Sequence, residues 1–256
     1  MIDSHIHTEF SEDSQMKIQD AMEHSRKNGI EMTITEHLDL DFPTGTGFNF
    51  DINKYFNDYE KYRSSKFMLG IEIGMQLSCL EENREIVNKY PFDYIIGSIH
   101  VAKGEDVFNP KFYEGKTKKE AFEQYFSSMV DCVKQYDFID SLGHIDYISR
   151  YATFHDKEIH YHEFNEYINE VLKAVVNTEK IIELNTRRLG DKEAYNNLIN
   201  IYKAYKQIGG KYITIGSDAH RAEDIGNHFM LANSICETCK LKPVYFKNRK
   251  MEYMSI

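Results

Sequence analysis

Seven short apolar runs recur along the chain, and each carries a polar residue within it or at its end. The first opens at Ile2, and the others cover 30–35, 67–73, 94–100, 141–144, 180–185 and 212–217. Helical stretches alternate with them, the first from about Met16 to Asn28; longer loops are expected over 39–49 and 101–116, and a short apolar stretch, Pro243 to Phe246, lies near the C-terminus. Gly29 marks a C-terminal cap, Asp51 an N-terminal cap, Thr117 and Glu120 a capping box, and Gly209-Gly210 a stop. Strand and helix in alternation imply a parallel sheet crossed by helices, so the fold class is α/β. No linker, repeat or low-complexity break interrupts the pattern, so one domain is expected over 1–256. A closed or nearly closed barrel explains why polar residues gather after each strand, since such barrels carry their sites at the strands' C-terminal ends.

His5 and His7 stand two apart in the first run. Side chains alternate along a strand, so both imidazoles face one side, a pairing that suits zinc, iron or manganese. Alone, such a pair reads as two surface histidines at a terminus. The other runs change that reading. His37 follows the second, Glu72 interrupts the third, His100 closes the fourth, and His144 ends the fifth. Asp218 and His220 follow the seventh, while the sixth brings Asn185 and Arg187. Glu72 lies in an otherwise apolar run, where a carboxylate needs a charged partner or a metal. An acidic loop after the first run holds Glu9, Glu12 and Asp13.

Other candidates read as structural. His155, His160 and His162 lie in a polar segment with no strand and read as surface or lid residues. Cys236 and Cys239 form a Cys-x-x-Cys without a second pair, which points to packing in a helix.

Five or more imidazoles with Asp and Glu, and no thiolate, exceed what one tetrahedral zinc uses. Two or three divalent ions would use them all. Closely spaced divalent ions lower the pKa of water and clamp the oxygens of an in-line displacement. Phosphate-ester hydrolysis matches that chemistry, because charge stabilisation dominates it. Arg150 and Arg187 supply planar, bidentate phosphate donors.

Asp3-Ser-His-Ile-His7, Glu36-His37, Gly70-Ile-Glu72, Ser98-Ile-His100, Gly143-His144 and Ser217-Asp-Ala-His220 together resemble the ordered motifs of the polymerase-and-histidinol-phosphatase (PHP) superfamily. The resemblance runs from residue 3 to about residue 226. It implies a distorted seven-stranded (β/α)7 barrel, TIM-like, with a centre of three divalent metal ions (zinc, iron or manganese). The run Ile182-Glu-Leu-Asn-Thr-Arg187 is most similar to the monofunctional histidinol-phosphate phosphatases. That branch implies hydrolysis of L-histidinol phosphate, in histidine synthesis. By the same resemblance His5, His7, Glu72 and Asp218 hold one metal, and Asp13, His37 and His220 a second. Glu72 bridges to a third, completed by His100 and His144. Arg150 and Arg187 fall at phosphate-binding positions, and with Glu72 and Asp218 form the expected catalytic set.

Composition narrows the partners. A net charge of -10 over 256 residues disfavours nucleic acid and anionic membranes; the small phosphorylated substrate that the resemblance implies would need local positive charge, from metal or a few arginines. No apolar run approaches the ~20 residues of a membrane span. The first strand leaves no room for a leader, so a cytoplasmic protein is expected. The competing readings are a related phosphatase acting on phosphotyrosine proteins or nucleotides, a polymerase-type exonuclease, and a non-catalytic metal-binding module.

Overall fold

The computed structural model describes residues 1–43, 45 and 48–254. Thr44, Thr46 and Gly47 of the polar loop expected over 39–49 lie outside the described residues, as do Ser255 and Ile256. The first half of the chain forms β1 (Ile2–Ile6), α1 (Ile18–Asn28), β2 (Glu31–Leu38), α2 (Ile52–Tyr59), β3 (Phe67–Gly74), α3 (Leu80–Lys89) and β4 (Tyr94–Ser98). A small hairpin of β5 (Val101–Ala102) and β6 (Glu105–Asp106) follows, then α4 (Lys118–Gln135), β7 (Ser141–Leu142), α5 (Tyr147–Tyr151) and α6 (Tyr161–Asn177). The chain continues through β8 (Ile181–Asn185), α7 (Lys192–Ile208), β9 (Tyr212–Gly216), α8 (Phe229–Cys239), β10 (Lys242–Lys247) and β11 (Lys250–Tyr253).

The result is an α/β fold with a mostly parallel sheet, in the order β1-β2-β3-β4-β7-β8-β9-β10-β11. Sequential strands are neighbours and helices make the crossovers, as the alternation predicts. Strands β3, β4 and β8 are buried at every residue. Such strands read as continuous apolar runs because both faces of the sheet are covered. Beyond the strands, Ile6 forms a parallel bridge with Ala219. Asp218 N donates to His5 O at 2.8 Å and His7 N to Ala219 O at 2.9 Å. The segment after β9 is thereby tied to β1.

The strand count corrects the expectation: among the described residues the main sheet has nine strands rather than seven. The short apolar stretch before the C-terminus is β10, parallel to β9, and β11 pairs with it antiparallel. Asn248 and Arg249 both take positive φ, 49° and 62°, the geometry of a two-residue hairpin turn that matches strand twist. The alternation in β10 is too short to stand out as a strand without that turn. The expected loop over 101–116 also holds more structure, in β5, β6 and a 3-10 turn at Pro110–Tyr113. Helix α1 starts at Ile18 rather than Met16, because the Met16 carbonyl accepts from Glu9 N. The predicted caps form: Asp51 accepts from Lys54 N, and both bonds of the Thr117–Glu120 box are present.

The added strands seal the N-terminal ends of the sheet. Val244 and Phe246 pack with Tyr94, Ile96 and Ile181, and the Phe246 and Tyr94 rings stack 5.4 Å apart. Two buried carboxylates anchor the turn. Asp93 accepts from Leu69 N and Asn248 N, at 2.9 and 2.8 Å. Asp140 accepts from Ile95 N at 2.8 Å and Arg249 Nε at 2.7 Å. Tyr94 and Ile181 open their strands, so this packing lies at the opposite end from the polar residues that follow them. Phe246→Ala should therefore cost about 3 kcal/mol of stability, read by denaturant unfolding, and leave metal content unchanged.

Candidate metal centre

Glu72 has no exposed surface, and five imidazoles surround it. Its Oε2 lies 3.1 Å from His5 Nε2, 3.4 Å from His7 Nε2 and 2.9 Å from His37 Nδ1. Its Oε1 lies 2.8 Å from His144 Nε2 and 3.4 Å from His100 Nε2, and accepts from Ser98 Oγ at 2.6 Å. Asp218 joins from beyond β9, with Oδ1 3.5 Å from His7 Nε2 and 3.7 Å from His220 Nδ1. Asp13 Oδ2 reaches His220 Nε2 at 3.1 Å and His37 Nε2 at 3.7 Å. All nine residues expected as ligands thus meet in one cluster at the C-terminal ends of the strands.

Several buried atoms in this cluster lack a hydrogen-bond partner among the described residues: His5 Nε2, His7 Nε2, His37 Nδ1, His100 Nε2 and Glu72 Oε2. They are close to one another, but not in hydrogen-bond geometry. Buried polar atoms left unpaired are costly, whereas converging lone pairs are what divalent cations bind. Donor atoms of several triads lie within 4.8 Å of one another, including His7-His37-His220, His5-His7-Glu72, His5-His144-Asp218 and Glu72-His100-His144. The donor set therefore fits divalent metal ions, and more than one group can hold them.

Electrostatics keep the carboxylates in the ligand form. Burial alone would raise Glu72, but the imidazoles of His5, His37 and His100 hold it well below the ordinary carboxylate range. Asp218 is held low against burial by Arg150 and His5. Burial opposes charge on His5, yet Glu183, Glu72 and Asp218 raise its pKa well above the ordinary value. His7 goes the other way, lowered by burial and by the neighbouring His37 and His220. Burial lowers His144 as well, with Glu72 opposing.

A second layer orients the rings. His5 Nδ1 lies 2.6 Å from Glu183 Oε1, His100 Nδ1 2.8 Å from Asp39 Oδ1, and His7 Nδ1 3.1 Å from Ser11 Oγ. Each contact turns Nε2 toward the cluster, as outer partners of metal-binding histidines do. Two glycines give the carboxylates room. A Cβ at Gly74 would lie 1.8 Å from Asp39 Oδ1, and one at Gly216 would lie 2.4 Å from both Glu183 Oε1 and His5 Cβ.

Sequence reasoning missed Asp39 and Glu183. Both carried a usable signal. Glu183 interrupts an apolar run as Glu72 does, and Asp39 lies two residues past His37, on the same side of an extended chain. Asp39 also joins His37 and His100 as a possible metal triad. The residues expected to be structural are so: His155 and His162 are exposed, His160 is partly buried against Asp156, and Cys236 and Cys239 are buried on α8.

Both arginines line a cavity of about 490 Å³ over the cluster. Arg150 is partly buried, with Nη1 2.5 Å from Asp218 Oδ2 and Nη2 3.0 Å from Asn185 Oδ1. Arg187 is 43% exposed, with Nη1 3.4 Å from Asp218 Oδ1. Two guanidinium groups, both paired with Asp218, thus stand on the wall of this cavity.

The PHP domain model matches residues 3–187. The chain belongs to the PHP-domain family. This PHP protein is 50% identical over 253 residues to a probable histidinol-phosphatase of Clostridium acetobutylicum, covering 99% of each chain. It is 32% identical to a histidinol-phosphatase of Lactococcus lactis, over 87% of this chain and 85% of the relative. Among solved structures it matches a Lactococcus lactis histidinol phosphate phosphatase complexed with zinc, L-histidinol and phosphate. That match has a TM-score of 0.93, 30% identity and 98% coverage of both chains.

The convergence on Glu72 gives a direct test. Glu72→Gln keeps the shape and removes the anion that faces five imidazoles. The variant should lose most bound divalent metal by elemental analysis while its circular dichroism stays that of the parent.

Proposed function

We propose that this PHP protein is a metal-dependent phosphomonoesterase that hydrolyses L-histidinol phosphate to L-histidinol and phosphate, a step of histidine synthesis. The observation that carries the reading is the whole-chain likeness to a solved phosphatase holding zinc, L-histidinol and phosphate, with the arginine-lined cavity directly over the cluster. In this reading the protein is one domain over 1–256, its sheet closed into a barrel at the Ile6–Ala219 bridge. It works in the cytoplasm on a small substrate, without nucleic acid. Among the described residues no helix is long and apolar enough to cross a membrane.

Three divalent ions, zinc or alternatively iron or manganese, occupy the cluster. His5, His7, Glu72 and Asp218 hold one, Asp13, His37 and His220 a second, and Glu72, His100 and His144 a third. Ions held there supply Lewis acidity and lower the pKa of water. The protein's own groups do the rest. Glu72 and Asp218 remain ionised at the centre, because imidazoles and Arg150 hold them low. Arg187, open to the cavity, presents its guanidinium fork to the phosphoryl oxygens. Arg150, anchored by Asn185 and Asp218, adds fixed positive charge deeper in the wall. Such preorganised charge acts where negative charge develops in the transition state.

Turnover of L-histidinol phosphate against phosphotyrosine, nucleotide and simple alkyl phosphates tests the substrate, and a clear preference for another ester would sink it. Chelation should abolish hydrolysis, and the purified protein should carry more than one transition ion per chain. Activity that survives chelation with at most one ion bound would contradict the reading. Arg187→Ala should keep its metals and lose about 10²–10³ in kcat/KM. Arg187→Lys should recover only part of that, because an ammonium cannot reproduce the bidentate fork.

A further inference from the structure

Two kinds of chemistry share the cavity above the cluster. Arg150 and Arg187 reach it from the segments after β7 and β8. The β5–β6 hairpin reaches it from the segment after β4. Val101 pairs with Asp106 across the hairpin, and Val107 N donates to His100 O at 2.9 Å. These bonds lock Asp106 close beside His100, at the edge of the cluster.

The Asp106 carboxylate lines the cavity although the residue is only 9% exposed. Its Oδ1 accepts from Phe108 N at 2.9 Å. The Asn109 amide also acts on the carboxylate, but no basic side chain lies within ion-pair distance of it among the described residues. The other cavity carboxylates are engaged or exposed: Asp13 and Asp218 by histidines and arginines, Asp39 by His100, while Glu12 is open to solvent. A nearly buried carboxylate without a cation is unfavourable, and a bound ammonium would correct that. Next to it, Phe108 is 58% exposed and meets Tyr151 edge-on at 4.7 Å between ring centres, both on the cavity wall. An exposed phenylalanine there offers apolar area to a flat ring.

This inference rests on the histidinol phosphate reading. We propose that Asp106 takes the ammonium group of the substrate, and that Phe108 and Tyr151 flank its imidazole. The order fits the substrate's connectivity. From the ester oxygen come a methylene, the carbon bearing the ammonium, a second methylene and the ring. The ammonium must lie close to the phosphoryl group, where Asp106 sits beside the cluster. The ring extends outward, where Phe108 is exposed. Asp106 is thus a specificity-determining residue that selects amino-alcohol phosphates over uncharged alkyl esters.

Asp106→Asn keeps an acceptor for Phe108 N, so the hairpin retains that bond. Steady-state kinetics would compare L-histidinol phosphate with 3-(imidazol-4-yl)propyl phosphate, the same ester without the amine. The parent's preference for the amine-bearing ester, as a ratio of kcat/KM, should fall roughly 10- to 100-fold in Asp106→Asn, mainly through KM. An unchanged ratio overturns the assignment, whether both esters lose equally, as a purely structural residue would cause, or neither loses. Phe108→Ala should cost both imidazole esters more than ethyl phosphate, and an equal cost across the three removes the aromatic part. A parent that fails to hydrolyse L-histidinol phosphate at all would overturn the functional reading itself. That outcome is distinct from an active parent whose preference Asp106→Asn leaves unchanged.

Discussion

A carboxylate with no exposed surface sits at the middle of this protein, and much of the rest is arranged to make that tolerable. An isolated buried anion is prohibitively costly. Glu72 escapes the cost because five imidazoles from four other segments reach its two oxygens. Those imidazoles come from β1, β2 and the segments after β4 and β7, so neighbouring strands must stand in the observed order for the cluster to exist. Removing a partner of a buried ionic group leaves the other uncompensated, which costs more than the pair contributes. The cluster therefore depends on the sheet for its assembly, and its remaining unpaired atoms form groups that could hold cations.

The outer layer explains how the cluster keeps its shape. Glu183 accepts from His144 N at 2.8 Å with one oxygen and contacts His5 Nδ1 with the other. One carboxylate thus couples strands β1, β7 and β8. Asp39 couples the end of β2 to His100 in the same way. These carboxylates pass over the sheet where glycines replace side chains, so the backbone and the polar layer share one space. Arg188 extends the arrangement outward, with Nη1 3.2 Å from Asp146 Oδ2 and Nη2 bonded to Glu158. That pairing ties the segment carrying Arg187 to the start of α5, which carries Arg150.

Chemistry and stability lie at opposite ends of the strands. The C-terminal ends hold buried charge, close imidazole stacking and an open cavity, none of which favours a tight apolar core. The N-terminal ends hold the aromatic and aliphatic packing of Tyr94, Ile181 and Phe246, with Asp93 and Asp140 binding the hairpin turn. An end closed by apolar packing can tolerate an end built for binding, a division common to folds of this architecture.

Periodicity and residue chemistry by themselves determined the parallel α/β order, the caps of the main helices and eight of the nine cluster residues; Asp13, one of three carboxylates in its loop, came only from the family resemblance. Strand runs reveal their ends, and His, Asp and Glu at those ends have few structural uses. The two extra strands were hidden, because β10 is short and becomes a strand only by pairing with β9 and turning back at Asn248 and Arg249. Glu183 bore the same signal as Glu72, and Asp39 that of its spacing from His37, but their role depends on which ring each one touches. Those contacts arise between strands far apart in sequence. The same holds for Arg150, whose burial between Asp218 and Asn185 no local pattern encodes. A sequence states which groups sit at strand ends, since that is local. Only the tertiary structure decides which of them come together, because that depends on strand register and on the space the glycines leave.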